Sequence, residues 1–301
     1  MKYVAMPRTL GFLAGIGAHA VLAVTVWFVF WFLKGGAVPA TTGPLWINWM
    51  TALAFGVVHS TLLHPAVRET IGEWITAPFY GLFFTAMSCA GLLGMILCWQ
   101  SSPTVWWEIS GLGGRLIEAC WLGSWVGLFY SMWLNGFGYQ SGWTPWWHWV
   151  RSEPIPARKF NPRGAFRFMR HPVYLSFLGL VWFTPVMTTD RAILTAVWTV
   201  YVFIGSYLKD ERMAYYVGEP YRQYQAWVPG YIGMLIGPLG KRALPSFDLV
   251  SAAVGQTFQI VGNQPLTLPL PAQEAHPVTD SLKRPSYDAA RAESLPCSPL
   301  H

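Results

Sequence analysis

Residues 170–187 read RHPVYLSFLGLVWFTPVM: a cation and a histidine, then an apolar run from Pro172 to Met187. A tight polar turn leads into a second apolar run, Arg191 to Leu208, which ends in Lys209-Asp210-Glu211-Arg212. Two membrane-length segments so joined form a hairpin, and the charged groups at its open end come together. Pro172 suits the first position of a helix, where its missing N–H is not needed. A polar cluster held at one membrane face by a hairpin is the pattern around which the remaining chain is read.

The bulk composition agrees with that reading. Of 301 residues, 53% are hydrophobic, 16% aromatic and only 11% charged, whereas soluble domains carry about 25% charged residues. With 18 tryptophans and a mean hydropathy of +0.34, the chain is expected to be an all-α, polytopic membrane protein. The net charge is +6, but the basic residues cluster in loops between apolar runs. That is a topology signal and argues against a nucleic-acid partner. Cys89, Cys98, Cys120 and Cys297 show no CxxC or metal-ligand spacing, so neither a disulfide framework nor a metal site is expected.

Six runs approach the roughly 20 residues that a bilayer core requires: Leu10–Leu33, Leu45–Leu63, Phe79–Trp99, Leu116–Leu134, Pro172–Met187 and Arg191–Leu208. The first is too long for a signal-peptide core and is read as a retained helix. Between the fourth and fifth runs, Trp143, Trp146, Trp147 and Trp149 precede a string of arginines, the chemistry of a lipid headgroup layer; a short surface helix is expected around Trp146–Arg151. Loops on one side hold only Lys34, Arg115 and Arg191, and the other side holds the remaining 17 of the 20 Lys and Arg. The bias puts both termini and the 151–170 loop in the cytoplasm, in a bacterial inner membrane. The membrane domain is taken as 1–238. From Leu239 to His301 the chain is rich in Pro, Ala, Ser and Gln, and is expected to be a mostly disordered tail.

Three constellations carry chemistry. Arg170-His171 stands at a helix N-terminus, which favours anions, and Asp210 and Glu211 stand at the C-terminal end of the other hairpin arm, where they need a cationic partner. Either Arg170 pairs with one of these acids, or the two halves serve a ligand bearing both a carboxylate and a cationic centre, as S-adenosylmethionine does. Tyr221 and Tyr224, three apart, share a helix face; they cover an adenine or pack on the hairpin. His59 lies inside an apolar run, where ionisable residues are functional candidates; it is a base, a substrate hydrogen-bond partner, or a satisfied buried histidine. Its spacing from His64 disfavours a two-histidine metal site.

Taken together, Arg170-His171-Pro172-x-Tyr174, the turn Thr184–Thr188, the acidic pair and Gly218-x-x-Tyr221-x-x-Tyr224 resemble the isoprenylcysteine carboxyl methyltransferase superfamily. The segment His59-Ser60-Thr61-Leu62-Leu63-His64-Pro65 resembles that of its bacterial branch, the methanethiol S-methyltransferases and NnrU-like proteins. The likeness spans roughly Leu45 to Pro229. It implies S-adenosylmethionine bound at the cytoplasmic face by Arg170, His171, Tyr174, Asp210, Glu211, Tyr221 and Tyr224, with His59 and Arg170 as catalytic candidates. It also implies methyl transfer to a small thiol, methanethiol giving dimethyl sulfide. A lipid-borne acceptor, or a non-catalytic NnrU-like role in nitrogen-oxide metabolism, is the alternative. Two positions depart from the pattern: Ser176 stands where glycine is common, and Lys209 takes the first place of the acidic pair.

Overall fold

The computed structural model describes residues 7–35, 41–157 and 159–242. All of these fall in the first of the two units into which the chain divides, Met1–Phe247. The expected tail from 243 onward lies outside the described residues. The elements run α1 (Arg8–Lys34), α2 (Trp46–Leu63), α3 (Pro65–Gly72), α4 (Ala77–Leu97), β1 (Val105–Glu108), α5 (Gly111–Leu134), α6 (Phe137–Gln140) and α7 (Trp143–Arg151). After a 3₁₀ turn at Gly164–Arg167 come α8 (Pro172–Trp182), β2 (Val186–Thr188), α9 (Thr189–Val217) and α10 (Glu219–Trp227). The chain is mostly helical, and proline opens α3, α4, α8 and α10 within their first two positions.

Three helices, α1, α4 and α9, are long and apolar enough to cross a membrane. A fourth span results if α2 and α3, bent by 69° at the His64-Pro65 junction, are taken as one broken span. The protein is an integral membrane protein. The fifth expected run is shorter as a helix than as a sequence. α8 has 11 residues, about 17 Å at 1.5 Å per residue, against a bilayer core of about 30 Å. Residues after Trp182 leave the helix, and β2 pairs antiparallel with β1, Trp107 opposite Met187 and Glu108 opposite Val186. Pro185 explains the stop: inside a helix it would remove a hydrogen bond and clash with the preceding turn. α5 has 24 residues, about 36 Å, and leaves Leu116, Leu122, Val126, Phe129 and Trp133 exposed on its outer face. Its length fits a span, although it does not meet the apolarity of the other three.

Around the bundle, α1 packs on α4, α4 on α2, α2 on α9, α9 on α8 and α8 on α5. The ring closes where Phe30 meets Trp121 and Trp125, with centroids 5.0 and 5.6 Å apart. Leu33, Ala52, Ile96, Trp125, Leu180 and Val197, one from each of these helices, meet in a common core. At the ribbon end Asp190, in the first turn of α9, accepts from Trp99 Nε1 at 3.2 Å, the Ser102 N–H at 3.1 Å and the Thr188 hydroxyl at 2.6 Å. Arg191 donates to Thr184 Oγ1 at 2.6 Å. The turn of the hairpin is thereby fixed to the protein.

The tryptophan cluster is built into the fold more deeply than a surface helix would be. Trp146 of α7 is fully buried and donates its indole N–H to the Gly11 carbonyl at 2.9 Å. A Cβ on Gly15 would fall 1.9 Å from that ring, so α1 needs glycine there for close approach. Trp146→Ala is expected to cost about 3–5 kcal/mol, read as a large fall in the unfolding temperature of the detergent-solubilised protein. Trp147→Ala, on the exposed side of the same helix, should leave that temperature nearly unchanged.

Candidate active site

The end of the bundle opposite the ribbon is organised by Arg170. Its side chain is 1% exposed. Nε and Nη2 both donate to Asp210 Oδ2, at 3.1 and 2.8 Å. Nη1 donates to the carbonyls of Gln225, Val228 and Gly240, at 3.2, 2.5 and 3.0 Å. Backbone bonds run alongside: Arg170 N–H to Pro229 O and His171 N–H to Gly230 O. Arg170 therefore pairs with Asp210 rather than Glu211, and the pair is fully buried, not exposed at a membrane surface. Residues 239–242, expected to start the tail, belong to this assembly through the Gly240 and Leu239 carbonyls.

His171 is fully buried beside the pair. Its Nε2 lies 3.2 Å from Asp210 Oδ1, off the line of a good hydrogen bond, and neither ring nitrogen has an aligned partner. Burial lowers its pKa to about 4 against the opposing pull of Asp210, so the ring is neutral. Tyr221 donates to Asp210 Oδ1 at 2.6 Å; burial and that carboxylate push its phenol well above the usual range. Tyr224 donates to the Phe166 carbonyl at 2.5 Å, and Phe160 packs on both tyrosines. Gly218 makes the turn between α9 and α10 with φ +76° and ψ −139°, a conformation open essentially to glycine.

A cavity of about 420 Å³ lies beside this assembly, between α2, α8 and α9, with α4 supplying Ser88 and Leu92. That is within the ~300–1,000 Å³ of small-molecule sites. Phe55, Leu92, Phe177 and Trp198 form its apolar part. His59, Ser60, Tyr174 and Tyr201 form a polar band, and Glu211, Arg212 and Tyr215 stand toward the C-terminal end of α9. The Ser60 and Tyr201 hydroxyls are 3.1 Å apart. Glu211 accepts from Arg242 at 2.5 Å. Arg212 makes no hydrogen bond or ion pair among the described residues, yet is close enough to act electrostatically on His59, Tyr174 and Tyr201.

The expected site residues thus divide. His59, Tyr174 and Glu211 line the cavity, whereas Arg170, His171, Asp210, Tyr221 and Tyr224 form the buried assembly behind it. Arg212 and Tyr201 are the cavity residues that sequence reasoning missed. Arg212 follows directly on the acidic pair, and a cation one residue past two acids invites reading as their partner. Among the described residues no group of three or more His, Cys, Asp or Glu is placed to hold a metal ion.

A helical membrane protein with a part-apolar, part-charged cavity at its basic end is the class these features define. Comparison with known proteins gives the family. The chain is 30% identical over 230 residues to methanethiol S-methyltransferase 1 of Bradyrhizobium diazoefficiens, covering 72% of this chain and 80% of that protein. It is 22% identical to the methanethiol S-methyltransferase of Mycobacterium tuberculosis over 236 residues, 73% of this chain and 94% of that one. The rat protein Nurim is 24% identical over 186 residues, 58% of this chain and 69% of its own. No family model and no solved structure matches. The chain belongs to the methanethiol S-methyltransferase family.

Removing one partner of the buried pair, as in Arg170→Met, should destabilise the protein by about 3–5 kcal/mol, and the double variant Arg170→Met/Asp210→Leu should recover much of this; thermal unfolding in detergent measures both. His171 adds a pH dependence. Its folded-state pKa is depressed, so the unfolded chain takes up the proton first. Its contribution is complete above about pH 6.5 and is lost as pH falls toward 4. His171→Gln should flatten that part of the stability–pH curve.

Proposed function

We propose that the protein transfers the methyl group of S-adenosylmethionine to a small thiol, converting methanethiol to dimethyl sulfide. The observation that carries this reading is the cavity, charged at one end and apolar at the other. The donor's amino-acid moiety is a zwitterion. Glu211 and Arg212, adjacent on α9, offer an acid for its ammonium and a cation for its carboxylate. The Glu211–Arg242 pair is half-exposed, worth about 0–1 kcal/mol, and so yields readily to a ligand. Arg212 stands over the cavity with no counter-ion among the described residues, and a ligand carboxylate would supply one. Tyr174, Phe177 and Trp198 offer flat surfaces for an adenine ring. When bound, the donor supplies an electrophilic sulfonium methyl; the chain's part is to orient it and to receive the acceptor's proton.

In this reading Arg170, His171, Asp210, Tyr221 and Tyr224 act by fixing Glu211, Arg212 and Tyr174 in place, since their polar atoms are turned to one another and to backbone carbonyls. The cavity's modest volume favours a small acceptor over an isoprenoid or phospholipid alongside a nucleoside donor. We further infer a six-span arrangement in which α5 and the α8–β2 arm complete the four spans above. Both termini and the Arg170 end face the cytoplasm, where the donor is made, in a bacterial inner membrane.

Membranes carrying the protein, incubated with S-adenosylmethionine and methanethiol, should release dimethyl sulfide into the headspace. Absence of product while calorimetry still shows donor binding would move the acceptor to another class, and absence of donor binding would remove the methyltransferase reading. Two variants localise the site. A Cβ at Gly205 meets only the Tyr174 hydroxyl, at 3.9 Å, so Gly205→Leu should fold normally yet fill the cavity and cost at least about tenfold in turnover. Arg212→Gln should weaken donor binding by about ten- to a hundredfold, the worth of a charge-assisted hydrogen bond.

A further inference from the structure

The hydrogen bonds around His59 fix which of its nitrogens holds a proton. Ser88, on α4, donates its hydroxyl proton to the Phe84 carbonyl one turn back, at 2.8 Å. Its oxygen is also 3.1 Å from His59 Nδ1. A hydroxyl has one proton, and the shorter of its two contacts, to a carbonyl that can only accept, is the one that favours holding it. The Ser88 oxygen then accepts from His59, so Nδ1 carries the hydrogen. In a neutral imidazole the other nitrogen, Nε2, is left with a lone pair. The ring is gripped between Phe55 and Phe84, at centroid distances of 5.4 and 5.0 Å, so it cannot turn freely. His59 lines the cavity, and no protein partner for Nε2 is found among the described residues.

We propose that Ser88 is a positioning residue that holds His59 as the Nδ1–H tautomer, so that Nε2 takes the proton from the acceptor thiol in the cavity. This rests on the thiol-methylation reading above. The thiol S–H bond breaks, its electron pair stays on sulfur and its proton goes to Nε2. The sulfur forms a bond to the methyl carbon as the donor's S–C bond breaks, and the donor leaves as a neutral thioether. The positive charge that arrived on the sulfonium ends on the imidazolium, which returns its proton to water. The titratable and charged groups facing His59 across the cavity are Tyr174 from α8, Tyr201, Glu211, Arg212 and Tyr215 from α9, and His64 at the end of its own helix; α4 meets it with Ser88 and Phe84.

The test has an arm that does not depend on turnover. In ¹⁵N-histidine-labelled protein in detergent, with His59→Gln identifying the resonances, Nδ1 of His59 should appear protonated and Nε2 unprotonated at neutral pH. Ser88→Ala should disturb that pattern and Ser88→Thr should keep it. In turnover, His59→Gln should lose about a hundredfold or more at neutral pH, with the rate recovering as pH rises through the thiol's own pKa. Ser88→Ala should lose about ten- to a hundredfold and Ser88→Thr should restore most of it, with donor binding unchanged in all three. An Nε2–H tautomer in the wild type overturns the proposal. So does a Ser88→Ala variant with the wild-type rate and pH profile, or a His59→Gln loss that high pH does not repair. A wild type that binds the donor but methylates no thiol overturns the functional reading instead, and the tautomer measurement still decides the hydrogen-bond assignment.

Discussion

The Arg170 guanidinium is almost wholly withdrawn from solvent, and a charge so placed costs several kcal/mol unless every part of it is answered. Asp210 answers its charge through Nε and Nη2, and three backbone carbonyls answer Nη1. Those carbonyls come from Gln225, Val228 and Gly240, so the demand of one side chain folds the segment after α9 back over the bundle. Tyr221 and Tyr224 then fall where they bond Asp210 and the loop ahead of α8. That end of the bundle is organised around satisfying the cation. Because the acid it takes is Asp210, the next two residues on α9, Glu211 and Arg212, are the ones left at the cavity.

Much of this was legible in the chain itself. The hairpin ends are in contact, as the charged groups flanking two apolar runs implied, and a short helix does stand near Trp146, though packed into the bundle rather than lying on its surface. What sequence reasoning did not reach has physical causes. Apolarity marks which residues avoid water but not whether they stay helical, so Pro172–Met187 read as one span although Pro185 cuts it short and the ribbon takes over. Charge marks a residue that needs a partner but not which partner. Arg170, Asp210 and Glu211 all stood as candidate ligand contacts until the geometry showed that the first two are committed to each other. Trp146 read as an interfacial anchor because nothing local to it announces the glycines of α1 that receive it.

The cavity also shows why position on a helix decides more than residue type. Tyr174, Tyr201 and Tyr221 are all buried or nearly so, but Tyr221 spends its hydroxyl on Asp210 while Tyr201 shares its with Ser60 at the cavity wall. Gly56 favours that arrangement: a Cβ there would lie 3.1 Å from the Tyr201 ring, so a side chain would require the ring to shift by a few tenths of an ångström. The histidines divide in the same way. His171 has its ring closed in on every side, whereas His59 lines the cavity.

Two clamps hold the α8 arm against α9: Arg191 with Thr184 at the ribbon end and Arg170 with Asp210 at the other. The wall they build, carrying Tyr174, Phe177, Gly205 and Arg212, is therefore fixed at both ends. The opposite wall, from α2 and α4, has no such ion pairs among the described residues and is joined across the cavity by the Ser60–Tyr201 contact. On the proposed reading this asymmetry matches the two substrates. The donor is large, charged and must be aligned to a fraction of an ångström, so it belongs against the rigid wall. The acceptor is a few atoms, apolar and able to approach through lipid, so the opposite wall, with His59, suffices for it. A methyl transfer between a water-borne cation and a lipid-soluble thiol needs a site that is charged at one end and apolar at the other, and a short helix clamped beside a long one provides both within a single cavity.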